Sequence, residues 1–457
     1  MSFFTLKKTY IAYKLFRKVV NMNGFKNKMK KATALLLSLA LMLVSGCGGD
    51  TPADTSDTTA ATTGVPVTDE NGVQVTDVSG NPVYQVPVTD ESGAQVTDEN
   101  GNPVYEIPEE APVYKVGFIY NNKLEDGATN KIFESARDEI ERTLGLETCY
   151  IEESLVADIP AAVHNLKEFG CNIIVSCSPM FANSITKEAD VDKDTYFLNF
   201  GGDDSGQNMS SFGGALYQSA SVCGIAAAHN TTSNVIGVLA DPGEFNMYGV
   251  VNGFSLGAAE IWGVYTDVRV NLVWSKDEDK IEEAIDNLAE QGCDVIMTYV
   301  ENDHAVQYCN EKGIKVIGNS CDIPELAPDT YLSGYFFNFG TYLVDEIRSI
   351  TTETFISEIY RGDIASGCAR LVDFSDNCKE GTDTISTKLY DYIKAGKAPI
   401  FEGEIKNKEN TVMVEKGQIM TYDNIMEIDW FIQGVRSVGN FTVVHHSPVP
   451  GELEIKQ

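Results

Sequence analysis

From residue 113 onward the chain repeats one pattern: a short apolar run, a turn, a longer amphipathic stretch and another apolar run. The first series is VGFIY (116–120), TCYIEE (148–153), NIIVSC (172–177) and TYFLNF (195–200), with helical periodicity over 130–144 and 160–169. Runs this apolar are strands buried on both faces, which requires a parallel sheet covered by helices. A short strand over 211–216 and an Ala/Gly/Ser-rich stretch over 217–228 follow, the latter suited to a closely packed buried helix. The series then restarts with VIGVLAD (235–241), VRVNLVW (268–274), DVIMTYV (294–300) and KVIGNS (315–320), with a helix over 281–291. Two successive units of similar size predict an α/β chain of two doubly wound parallel-sheet lobes joined by a hinge. We place 113–230 and 337–364 in the first lobe, and 231–336 and 365–457, including a C-terminal extension, in the second. Ligands of open parallel sheets bind outside the carboxyl ends of the strands. Two facing lobes therefore predict an inter-lobe cleft.

This is the architecture of a type I periplasmic binding protein, and the N-terminal region agrees with an extracytoplasmic address. Residues 1–46 read as a lipoprotein signal region: from Met29 comes a basic start, an apolar run and Val44-Ser45-Gly46-Cys47, which resembles a bacterial lipobox. Cys47 is the expected lipidation site, and acyl chains there would anchor the protein to the cell membrane. Residues 47–112 read as a flexible or loosely hairpin-forming stalk. It holds two near-copies of one unit, VTDENGVQVTDVSGNPVY from Val67 and VTDESGAQVTDENGNPVY from Val88, and residues 48–112 contain no Lys or Arg.

Charge excludes one class of partner. The chain holds 34 Lys and Arg against 67 Asp and Glu, a formal charge of −33. Nine of the basic residues and none of the acids precede Cys47, which leaves 25 basic against 67 acidic residues beyond it. Such a surface repels phosphate backbones, so no nucleic acid is expected. The ten cysteines lack metal-ligand spacing and read as small buried apolar residues, with a Cys368–Cys378 disulfide as an open option. No nucleophile elbow, phosphate loop or zinc motif is present, and the five histidines show no ligand spacing. We therefore expect no enzyme, metal or cofactor.

Several segments in order resemble the basic membrane protein family of ABC-importer substrate-binding lipoproteins. They are VGFIY followed by Asp126-Gly127, VVNGFSLGA (250–258), VNLVW ending at Trp274, QGCDVIMTY (291–299), AVQYCNEKGIKVIG (305–318), Asp322, IKAGKAPIFEGEI and MEIDWFIQGV (426–435). The resemblance implies a permease partner and a small-molecule ligand, a purine base or nucleoside. Where the family places a tryptophan soon after the Asp-Gly, this chain has Ala128-Thr129. A sugar or other small polar metabolite, or a surface sensor or adhesion role, stays open beside the purine.

A purine needs flat aromatic faces and a few directed polar groups, and strand ends supply both. In the first lobe the candidates are Asn121, Asp126, Ser178, Phe200 and Gly201. In the second they are Asp241, Phe245, Tyr299, Glu301, Asp322, Phe337 and Asn338. Asp126 and Asp322 are each either ligand contacts or local cap and turn residues.

Overall fold

The computed structural model describes residues 113–124, 128–263, 267–274, 276–439 and 455–456, with short segments at 65–66, 84–87, 97 and 105–106. Cys47, the signal region and Asp126 lie outside the described residues. The chain divides into two units, 1–111 and 112–457.

In the first unit, β1 (Val65–Pro66), β2 (Tyr84–Pro87) and β3 (Tyr105–Glu106) form a three-stranded antiparallel meander. Val65 pairs with Gln85 and Val86 with Glu106, so the residues that flank the two repeat copies supply the paired strands.

In the second unit the first sheet is built from β4 (Lys115–Ile119), α1 (Ala128–Leu144), β5 (Glu147–Ile151), α2 (Ile159–Glu168), β6 (Ile173–Ser176), α3 (Ala182–Val191), β7 (Tyr196–Phe200) and β8 (Met209–Gly214). The second follows α4 (Leu216–Asn230) as β9 (Ile236–Ala240), α5 (Met247–Trp262), β10 (Val268–Leu272), α6 (Glu278–Glu290), β11 (Val295–Tyr299), α7 (His304–Glu311), β12 (Lys315–Gly318), α8 (Ile323–Leu326) and β13 (Tyr331–Phe337). Then α9 (Gly340–Thr351) packs on α1 and β14 (Ile359–Gly362) joins β8 in parallel. The chain recrosses to β15 (Ala369–Val372), antiparallel to β13, and continues through α10 (Thr382–Lys394), the hairpin β16 (Ile405–Lys406) and β17 (Val412–Val414), α11 (Tyr422–Met426) and β18 (Val435–Val438).

Sheet orders are β14-β8-β7-β6-β4-β5 and β15-β13-β12-β11-β9-β10-β18. In both, the opening strand sits between the second and the third, so the order reverses at β4/β6 and at β9/β11. The strands are apolar because they are covered on both faces: β6, β8, β9 and β11 are buried along their whole lengths.

The sequence reading placed residues 216–230 with the first lobe. Instead, α4 packs on α5, α10 and β13, all elements of the second half. The reason is backbone proximity. A Cβ at Gly224 would lie 1.9 Å from the Phe254 carbonyl oxygen, and one at Gly257 would lie 1.8 Å from that of Ser221. The Ala/Gly/Ser composition lets these two helices touch through their main chains. Lys456 likewise pairs with Tyr150 of β5, so this end of the chain rests on the first sheet rather than the second. Cys368 and Cys378 are both free thiols. Among the described residues no helix is long and apolar enough to cross a membrane.

Candidate functional site

The segments at the carboxyl ends of β4 and β7 meet those after β9 and β11, and the contacts between them form two layers. One is polar. The first turn of α1 leaves its backbone N–H groups without intrahelical partners and has no acidic residue of its own. Glu301, just beyond β11, fills that role from the opposite half: its Oε2 accepts from Thr129 N–H at 2.8 Å and its Oε1 from the Thr129 hydroxyl. A carboxylate at a helix N-terminus also meets the positive end of the helix dipole. Two residues along, Lys131 Nζ donates to Asp303 and, at 2.7 Å, to Asp322.

Behind this latch lies a carboxyl pair. Burial, then the Glu301 and Asp241 carboxylates, push Glu244 well above the ordinary carboxylate range, and its side chain hydrogen-bonds Glu301. Burial also raises Glu301, although the Thr129 hydrogen bonds pull it back. Two carboxyls this close cannot both ionise, so the pair retains a proton. Asp322 moves the other way: burial works to raise it, but the hydrogen bonds from Lys131 and Ser320 take it below its usual value.

The second layer is aromatic. Phe245, on the loop after β9, reaches across to Phe200 at the end of β7, with centroids 5.1 Å apart and planes 33° apart. Phe337 lies 5.9 Å from Phe245 and 6.1 Å from Phe200, and stacks on Phe339 at 4.8 Å. The Phe245 ring seats against glycine: a Cβ at Gly213 would lie 2.9 Å from it. Gly201 has φ +77°, and a Cβ there would press within 2.6 Å of Pro179 Cβ. Insertion of a flat ring between Phe200 and Phe245 needs roughly 7 Å, two contact spacings of about 3.5 Å, so the two halves must part to admit it.

The structure thus gathers Phe200, Gly201, Phe245 and Phe337 in one layer, and Asp241 and Glu301 in the other, with Asp322 bridged to Asp303 by Lys131. Asp322 occupies the N-cap position of α8, yet its side chain makes no cap hydrogen bond. Tyr299 is buried and supports the aromatic layer from below, its hydroxyl donating to the Phe245 carbonyl at 2.6 Å. Asp241 accepts from Gly243 N–H at 2.8 Å, which shapes the loop that carries Phe245. The Ser178 hydroxyl is engaged in capping the short helical turn after β6, accepting from Met180 N–H at 3.4 Å. Asn121 is half-buried after β4. Asn338 lies on the segment that returns to the first sheet, its N–H bonded to the Cys368 carbonyl at 2.7 Å.

Three residues of the candidate site are not among the sequence-based candidates, Asn122, Lys131 and Glu244, and Thr129 stands there only as a departure from the family pattern. Asn122 is buried, and its Oδ1 has no hydrogen-bond partner among the described residues. The Asn-Asn doublet after a strand was the available signal. The pairings of Thr129 and Lys131 left no local signal, because their partners lie 172 and 191 residues away.

Residues 113–409 match the family described as Bmp, ABC transporter substrate-binding protein PnrA-like. A purine-binding protein of Brucella abortus is 25% identical over 327 residues, covering 70% of this chain and 92% of its own length. A putative ABC transporter glucose-binding protein of Haloferax volcanii is 21% identical over 298 residues, covering 65% of this chain and 74% of its own. An ABC transporter solute-binding protein from Aeropyrum pernix shares the fold with a TM-score of 0.56 at 14% identity, over 68% of this chain and 95% of its own. The chain belongs to the Bmp family of PnrA-like ABC transporter substrate-binding proteins, extracytoplasmic solute-binding proteins rather than enzymes, which take a small-molecule ligand and work with a permease.

Proposed function

We infer that the inter-lobe cleft captures a purine base or nucleoside for delivery to the permease. The observation that carries this reading is the meeting of Phe200 and Phe245 from opposite halves, next to the Asp241, Glu244 and Glu301 carboxyl groups. Parted, two phenyl rings give a planar heterocycle its faces, and carboxyl groups accept from its amino edge or from ribose hydroxyls. The Brucella relative, named for purine binding, supports the same ligand class. Cys47 is the proposed lipid anchor, with 47–112 as the stalk between membrane and body.

Isothermal titration with adenine, adenosine, guanosine and inosine tests the ligand class. Saturable heat with at least one of them is expected, and a flat response to all four removes the purine. A sugar is the second reading. It is favoured by the hydroxyl of Thr129 at the place where an aromatic side chain was expected, and by the Haloferax relative. Native mass spectrometry of the purified protein separates the two by the mass of whatever copurifies. Cys47→Ala should release the protein from membranes, and continued attachment after a high-salt wash would rule out the anchor.

A further inference from the structure

Away from the cleft, a cavity of about 290 Å³ opens between α9 and β14, under Asn338 and the 366–368 loop, two of the segments that pass between the halves. One wall is the stacked pair Tyr342 and Tyr360, 4.1 Å between centroids with planes 14° apart. The rest of the lining carries Asp345, Glu346 and Glu358 and contains no Lys or Arg. Asp345 has an exposed partner in Arg348 at 2.5 Å. Glu346 is held by the Ser210 hydroxyl, and neither it nor Glu358 is part of any ion pair among the described residues. Tyr342 is only 9% exposed, and its hydroxyl makes no well-formed hydrogen bond among the described residues, since the neighbouring Ser210 hydroxyl donates to Glu346.

Each of these features asks for the same complement. Carboxylates only accept hydrogen bonds, an orphaned buried hydroxyl costs stability until it is engaged, and tyrosine faces attract cations and cover methylene groups. A bare metal ion would leave a cavity of this volume largely unfilled, and no metal-holding group of His, Cys, Asp and Glu occurs among the described residues. We propose that this cavity is a second binding site, separate from the cleft, for a small aliphatic di- or polyamine. One ammonium group lies between Glu346 and Glu358, the chain runs along the tyrosine pair, and the Tyr342 hydroxyl completes the shell. Because its roof is made of crossing segments, an occupant bears on the part of the chain that a lobe rotation bends.

The test is calorimetric titration of the full chain with putrescine and spermidine, with glutarate and calcium chloride as controls. It is run on the wild type, Glu346→Gln, Tyr342→Phe and the cleft variant Glu301→Gln, after thermal melts have confirmed folding. Tyr342→Phe removes only the unpartnered hydroxyl and keeps the test open if Glu346→Gln misfolds. Saturable one-to-one amine binding is expected, weakened about tenfold or more in Glu346→Gln and several-fold in Tyr342→Phe, with no heat from glutarate. The proposal is overturned by flat amine titrations, by equal affinity in the wild type and both cavity variants, or by saturable calcium binding in place of the amine. Amine binding lost in Glu301→Gln but kept in Glu346→Gln would assign the amine to the cleft and also overturn it.

Discussion

Replacing Lys131 by Met isolates what the latch contributes, since the apolar stem stays and only the ammonium group goes. Its ion pairs to Asp303 and Asp322 join side chains that are 22–33% exposed, so solvent screens them substantially. At that exposure each pair contributes about 0.5–1 kcal/mol, or about 1–2 kcal/mol together. With about 1.4 kcal/mol per factor of ten, the ratio of latched to parted lobes should fall about 5- to 30-fold. The Thr129 amide reads this ratio directly. It lies in the first turn of α1 and donates to Glu301 across the cleft, so its hydrogen exchange requires the halves to separate. Ile140, in the same helix and fully buried, serves as the internal control. In Lys131→Met, Thr129 protection should drop by that factor while Ile140 protection holds. If Thr129 exchange stays within about twofold of wild type, or Ile140 accelerates equally, the latch argument is refuted.

Glu244→Gln tests the carboxyl pair. Because the folded-state value of Glu244 is raised, its contribution to stability is present below the unfolded carboxyl value of about 4.3 and is lost as pH rises through the raised value. The wild-type melting temperature should therefore fall more steeply than that of Glu244→Gln as pH rises from about 5 to 8, and parallel curves would contradict the shared proton. Phe245→Ala should cost about 3–5 kcal/mol in urea unfolding and abolish ligand heat, since the ring packs against Phe200 and Phe337. Gly257→Ala forces α4 and α5 apart and should lower stability by about 1–3 kcal/mol or more, while an unchanged melt would mean that the helices slide freely.

Much of the fold was legible because it rests on local periodicity. β4 to β12 fall within one to two residues of the apolar runs, and the helices between them follow the amphipathic stretches, whereas β13, β14, β15 and β18 have no counterpart among those runs. The strand-end rule also picked out Asp241, Phe245 and Glu301 as candidates, because the position of a residue after a strand is a local property. It did not reach Glu244, three residues past Asp241, whose significance arises only from burial beside Glu301. The same rule chose Asn121, whereas its neighbour Asn122 is the one with a buried, unpartnered oxygen.

Local pattern by itself determined that this chain builds two largely parallel sheets, with an acidic repeat segment before them in the chain, and it proposed ligand-binding candidates at the strand ends. Period and composition decide which faces must be buried, and burial on both faces leaves few topologies. Tertiary structure decided which half each connecting element joins, as when α4 leaves the sheet it follows to meet the glycines of α5. It also decided the latch of Thr129 and Lys131 with Glu301, Asp303 and Asp322, pairings between residues far apart in the chain. Such contacts depend on how two folded halves face each other, and no neighbouring residue carries a trace of them.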